Sequence, residues 1–219
     1  EIPHERGFRK DVSGIFKEIK TAGVKTMGEV NEKSFNWPTS REDSLSVLNY
    51  FCKNLLIHFG DFQDALHTDE AYLFHSRLSF SMNTKMLSPK EVIDSVMDYY
   101  HEHEDEIDIS QVEGFVRQIL GWREYMRGVY WKEMPNYKRS NKLRNQNNLP
   151  EFYWNAKTKM NCLHHSIKNS LENAYAHHIQ RLMITGNYAL LTETHPDEVD
   201  NWYLGIYIDA IEWVETTNT

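Results

Sequence analysis

Apolar residues in this chain recur three and four positions apart, the spacing of one helix face. No run of useful length alternates with the period of two that a half-buried strand shows. The pattern predicts a short helix near Val12–Thr21 within an otherwise polar, irregular stretch. A second helix carries Leu45, Leu48, Phe51, Cys52, Leu55 and Leu56, with Thr39 or Ser40 placed to cap it. FGDFQDALHTDEAYLF reads as turn-rich, Ser79–Met86 as helical, and Ser88-Pro89 as the start of a helix running through Val92, Val96 and Tyr99. The strongest periodicity spans Val112–Trp131 and ends at Pro135. A long helix follows over Met160–Thr185, with Gly186 suited to cap its C-terminus. A last helix, entered through Thr194–Asp197, carries Trp202, Ile206, Asp209, Ala210 and Trp213. The expected architecture is all-α, with no repeat and no low-complexity tract.

Composition sharpens this picture in a few places. The 219 residues suffice for a sizeable core, and no apolar run reaches the ~18 residues of a membrane span. Aromatics make up 13% of the chain, which suits an ordinary core, a planar-cofactor lining or an electron path. The net charge of −8 gives no global attraction for nucleic acid, but residues 132–144 gather Lys132, Lys138, Arg139, Lys142 and Arg144 against Glu133 alone. Residues 101–108, HEHEDEID, form the opposite, acidic segment and read as solvated. Two distant cysteines, Cys52 and Cys162, make neither a disulfide framework nor a CxxC site. No signal peptide is evident. The expectation is a monomeric, cytoplasmic protein with no membrane partner.

Several polar residues stand where apolar ones belong. Arg123 and Arg127 lie inside the strongest helix, and Asp209 lies on the Trp202/Ile206/Trp213 face. Buried charge is costly unless paired or ligand-bound, so these imply internal ion pairs, side chains reaching solvent, or a polar cofactor between helices. Ser166, Ser170, Asn173, His177 and Arg181 form a polar stripe on the long helix, with His178 beside it. The adjacent histidines are not the i, i+4 pair of a helical zinc site, but one near a cleft can move a proton at neutral pH. Ser76, Arg77 and Ser79, just ahead of a helix start, are of the kind that holds phosphate.

Three of these segments match one family in order. SRLSFSMNTKMLS resembles the photolyase/cryptochrome segment SRLSPYLxxGxLS, keeping the Ser76-to-Ser88 spacing but with Phe80 for Pro and Lys85 for Gly. QILGWREYMRG (118–128) resembles that family's WREF-type helix, and HHIQRLMITG (177–186) its HHxxR segment. HFGDFQDAL, MNCL and the WYLGIYIDAIEWVETTNT ending are similar to the bacterial iron–sulfur branch that acts on (6-4) photoproducts.

The resemblance implies a helical FAD-binding domain. His75, Ser76, Arg77, Leu78 and Ser79 would meet the cofactor, with the two serines and Arg77 on its phosphates. Gln118, Trp122, Arg123, Arg181 and Asp209 would line the flavin and ribityl site, and Glu215 would sit near the flavin's reactive edge. His177 and His178 would face the lesion, with His178 the better proton donor. Trp154, Trp202 and Tyr203 would relay electrons. Cys162 would be one ligand of a [4Fe–4S] cluster whose other ligands belong to the full-length protein. Residues 1–40 would be an arm after an antenna domain that binds a second chromophore, and residues 41–219 the catalytic domain, truncated at its C-terminus. The implied activity is light-dependent repair of UV-damaged DNA; the alternative is a blue-light receptor without repair.

Overall fold

The computed structural model describes residues 3–4, 6–28 and 30–219, so Glu1, Ile2, Glu5 and Glu29 of the expected arm lie outside the described residues. In chain order the helices are α1 (Ser13–Thr21), α2 (Arg41–Tyr50), α3 (Phe59–Phe62), α4 (Ser79–Asn83), α5 (Pro89–Glu102), α6 (Ile109–Arg117), α7 (Glu124–Glu133), α8 (Asn161–Asn173), α9 (Asn187–Leu191), α10 (Pro196–Ile206) and α11 (Glu212–Asn218). Among the described residues the only β pairing is two isolated bridges, Lys10 with Phe35 and Asn147 with Thr194. The all-α expectation holds, and no described helix is long and apolar enough to cross a membrane.

Local chemistry explains the starts. Ser40 caps α2 by accepting from Asp43 N–H at 3.1 Å. Ser88 and Glu91 close a capping box on α5, with Pro89 at its first position. His195 caps α10 through its ring nitrogen, which accepts from Asp197 N–H at 3.1 Å. The arm is tied down: Lys10 pairs with Asp43 at 2.9 Å. Burial works against the Asp43 carboxylate, but bonds from Lys10, Thr39 and Ser40 outweigh it and hold its pKa at about 2. Arg41 joins α2 to α5 by pairing with Glu91 and donating to Met86 O at 2.7 Å.

The described side chains bury two hydrophobic cores. One gathers Val47, Phe51, Leu56, Leu78, Val92, Val96, Val112 and Phe115 from α2 through α6. The other gathers Tyr153, Leu163, Ile167, Ala189, Val199, Trp202 and Tyr203 from the C-terminal half. α3 and α6 approach closely because residues 60 and 114 are glycines. A Cβ on Gly60 would come within 3.2 Å of Gln111 Cα and Ser110 O.

Four expectations are corrected here. The 41–56 helix gives way at Phe51 to a π-helical turn, Phe51–Leu55. The 112–131 pattern is continuous but passes through a π-helical turn at Gln118–Arg123, and only its first part is core; α7 buries no residue, and Trp131 is 74% exposed. The long helix is broken. α8 stops at Asn173, Ala174 is left-handed (φ 49°), and a separate π-helical segment, Ile179–Gly186, runs on into α9, so Gly186 caps nothing. Glycine is required there for packing instead, since a Cβ would meet Tyr203 Oη at 3.1 Å. The last helix is also broken, between Ile206 and Glu212, and Asp209 lies in that gap rather than on a helix face. The two breaks meet: Ile208 N–H donates to Ala174 O at 2.9 Å.

Candidate functional site

Between the two cores lies a cavity of about 320 Å³. A second lobe of about 180 Å³ shares Ser79, Trp122, Tyr175, His178, Arg181 and Asp209 with it. Both volumes bracket the low end of small-molecule sites. Each wall is an irregular element. The α4 entry supplies His75 to Ser79, the π-helical turn supplies Gln118 to Arg123, the π-helical segment after the Ala174 break supplies His178 and Arg181, and the α10–α11 gap supplies Asp209. π-helical turns insert a residue and re-aim side chains, which explains how Trp122 and Arg123 reach inward from a helix that is otherwise half surface.

The electrostatic centre is Arg181. Its Nη2 lies 2.9 Å from Asp209 Oδ1, its Nη1 4.0 Å from Glu215 Oε1, and its guanidinium 3.9 Å over the Tyr207 ring. Burial weakens this cation, but Asp209, Tyr207 and Glu215 outweigh it, so the proton is held more firmly than usual. Asp209 Oδ2 accepts from Ser79 Oγ at 2.6 Å, and its backbone carbonyl accepts from Asn83 Nδ2 at 2.7 Å. Thus α4 is stitched to the α10–α11 gap across the cavity. Burial raises the Glu215 carboxyl to about 7 against the pull of Arg181. Glu215 Oε1 and Arg123 Nη2 are buried with no aligned hydrogen-bond partner among the described residues. Arg123 pairs through Nη1 with Glu124 at 2.7 Å and packs over Trp213.

The histidines divide. His177 Nε2–H donates to Gln63 O at 2.7 Å, while its Nδ1 accepts from Ile179 N–H at 3.2 Å. Its ring stacks on buried His75 at 4.5 Å and 14°. Tyr175 Oη bonds His75 Nδ1 at 3.1 Å. Burial first, then the neighbouring His177, lowers the His75 pKa to about 3; burial also lowers His177. His178 is solvent-exposed and lines both lobes, its pKa lowered by partial desolvation at the cavity wall against the favourable pull of Asp64.

Nearly all the sequence candidates therefore converge. His75, Ser76, Arg77, Leu78, Ser79, Gln118, Trp122, Arg123, His177, His178, Arg181 and Asp209 line the larger lobe, and Glu215 the smaller. Within this set Arg77 is left-handed (φ 56°), and its guanidinium lies over the Trp37 and Tyr72 rings, 4.4 and 4.1 Å from their centroids. Leu78 is fully buried in the first core and also lines the cavity. Arg127 stays out; it faces solvent and pairs with Glu124 at 3.1 Å.

Trp202 and Tyr203 are buried in ring contact at 5.7 Å, and Tyr203 Oη donates to Arg181 O at 2.7 Å. Trp154 is 47% exposed and outside that chain of rings; its neighbour Tyr153 is the one that touches Trp202, at 5.3 Å. Ser166, Ser170 and Asn173 do not share a stripe with His177, because the Ala174 break separates them; Ser170 Oγ meets Tyr207 Oη at 3.1 Å instead. Cys162 is exposed and Cys52 buried in the first core, and the described residues hold no group of His, Cys, Asp and Glu able to bind a metal. Two separated cysteines do not fit a cluster that takes four thiolates. Sequence reasoning missed Gln63, Asp64, Asn83 and Tyr175. The first two sit in a stretch read as turn-rich and matched to the family but given no role, and Tyr175 follows a break that no Gly or Pro announces.

No protein-family profile matches the chain. Among curated proteins, it is 48% identical over 186 residues to a (6-4) photolyase of Agrobacterium fabrum, a match covering 85% of this chain and 36% of the relative. It is 33% identical over 97 residues to an uncharacterized protein of Acanthamoeba polyphaga mimivirus, covering 44% of this chain and 73% of that one. The chain thus spans about a third of the photolyase it resembles.

Proposed function

We propose, since this chain belongs to the photolyase/cryptochrome family, that it is the flavin-binding helical part of a light-driven lyase repairing (6-4) pyrimidine photoproducts in DNA. One observation carries the reading: the residues that the family resemblance nominates for cofactor and lesion line one continuous cavity between the two cores. What supports FAD as the ligand is the donor set. Arg123 Nη2 and Glu215 Oε1 are buried polar atoms with no aligned hydrogen-bond partner among the described residues, and Ser76, Ser79 and Arg77 at the α4 entry are of the kind that holds a diphosphate.

FAD, when bound and reduced, supplies light-driven electron donation. The protein's own residues do the rest. Ser79, Asn83 and Asp209 fix the wall on which Arg181 is oriented. Trp202 and Tyr203 form a buried aromatic path that reaches Arg181. His178 holds or donates a proton at its ring nitrogen toward a nucleotide turned out of the duplex. Loading the chain with FAD and following its visible absorbance tests the cofactor; repair of a defined (6-4) oligonucleotide under blue light by the full-length flavoprotein tests the reaction. Absence of flavin binding overturns the cofactor. Flavin binding without repair leaves a photoreceptor.

The basic segment 132–144 is the proposed phosphate-contacting edge. Lys138 pairs with Glu212 at 3.1 Å and Lys132 with Glu133 at 3.2 Å, whereas Arg139, Lys142 and Arg144 make no ion pair among the described residues. Replacing Arg139 and Lys142 by Ala is expected to weaken DNA binding equally for all sequences. It should also reduce the slope of log affinity against log salt by about two, measured by fluorescence anisotropy. An unchanged slope places the DNA elsewhere.

A further inference from the structure

The paired histidines are chemically unequal, and the inequality originates in a third ring. Both nitrogens of His177 are committed: Nε2–H to Gln63 O and Nδ1 to Ile179 N–H. A carbonyl can only accept and an amide N–H can only donate, so the ring is neutral with its proton on Nε2. Protonating Nδ1 would set two donors against each other at the first turn of the π-helical segment that carries Arg181. His75 covers one face of the His177 ring, stacked at 4.5 Å, and is itself anchored by Tyr175. The charged and titratable groups around His177 are His75, Asp64, His178 and Arg181, and the Gln63 carbonyl faces both stacked rings. His178 has no hydrogen bond among the described residues and faces Asp64 and Arg181 from the cavity that both lobes share.

We propose that His75 is a positioning residue: its stacked ring shields one face of His177 and holds it in one tautomer, so that His178 alone of the pair exchanges a proton with whatever occupies the cavity. The proton-exchange clause rests on the proposed function; the tautomer assignment does not. Two consequences of the stacking are separable. A ring of similar size without nitrogen preserves the shielded face, whereas a small side chain admits water. His75→Phe is therefore expected to behave like the unaltered protein at His177, and His75→Ala is not.

The test is ¹⁵N NMR of the imidazole rings in the full chain between pH 5 and 8, assigned with His→Gln variants. His177 should remain in the neutral Nε2–H form throughout, while His178 titrates with a midpoint below its ordinary 6.5. In His75→Ala the His177 midpoint should rise by about one pH unit or more and the Ile179 amide should lose its bonded shift; His75→Phe should restore both. Titration of His177 in the unaltered protein overturns the proposal, as does an unchanged His177 in His75→Ala. Repair assays on the full-length flavoprotein separate the two readings. If the NMR signatures are as stated but no repair occurs, the proton-exchange role falls with the proposed function and the tautomer assignment stands.

Discussion

His178→Ala should reduce (6-4) repair by two to four orders of magnitude in the full-length flavoprotein, while flavin absorbance and photoreduction stay as they were. A positioned acid or base contributes about 10²–10⁴ in rate, and of the histidines lining this cavity His178 is the one with no hydrogen bond among the described residues. It is also not part of the stitching that holds the cavity shut: Arg181, Asp209, Ser79 and Asn83 do that. Loss of flavin from the variant would make His178 structural. Unchanged repair would remove it from the chemistry and shift the donor role to His177. His177→Ala should behave differently, with lower stability as well as lower activity, because it removes the acceptor of Ile179 N–H and the donor to Gln63.

Arg181→Met should cost about 3–5 kcal/mol of stability, read from urea midpoints, because it leaves Asp209 buried without its cation beside Glu215. Adding Asp209→Asn should recover part of the loss, since the uncompensated charge is then gone while the amide can still accept from Ser79. A loss under ~1 kcal/mol would show that water already reaches the pair.

The same network sets a pH signature. Glu215, raised from 4.5 to about 7, binds a proton in the folded chain that the unfolded chain releases, so its contribution is lost as pH rises through that window. His75, lowered from 6.5 to about 3, refuses a proton that the unfolded chain takes, so its contribution is lost as pH falls through that window. Each slope is about 1.4 kcal/mol per pH unit, and the two oppose each other where the windows overlap. Stability should therefore fall on the acid side, where His75 and the other lowered groups, among them Asp43, act without opposition from Glu215, and Glu215→Gln should steepen the fall at intermediate pH by removing the opposing slope. A flat acid limb would contradict the burial of His75.

Much of this was legible in residue order. The helical period gave the fold class, and Ser40 and the Ser88–Pro89–Glu91 start announced their caps because capping is local chemistry. The cavity residues were legible through misplaced charge and family likeness together, and the structure gathers them. The breaks were not. Ala174 is a good helix former held left-handed by a distant partner, the Ile208 amide, and no local propensity reports a bond across that separation. Asp209 suffered the same way: its spacing fits a helix face, yet it lies in a gap where Ser79 and Asn83 claim it. Trp131 and Leu120 fall within the strongest periodic stretch yet are exposed, because periodicity marks a face without saying what covers it.

Because the cavity is the boundary between two separately packed cores, anything held there grips both halves of the molecule at once. Ligand affinity and the cohesion of the two halves are then one thermodynamic quantity. A cofactor at a hundred times its dissociation constant adds about 2.7 kcal/mol against their separation. Its departure should be felt first as faster hydrogen exchange at the Ile208 amide, whose bond to Ala174 bridges the two breaks.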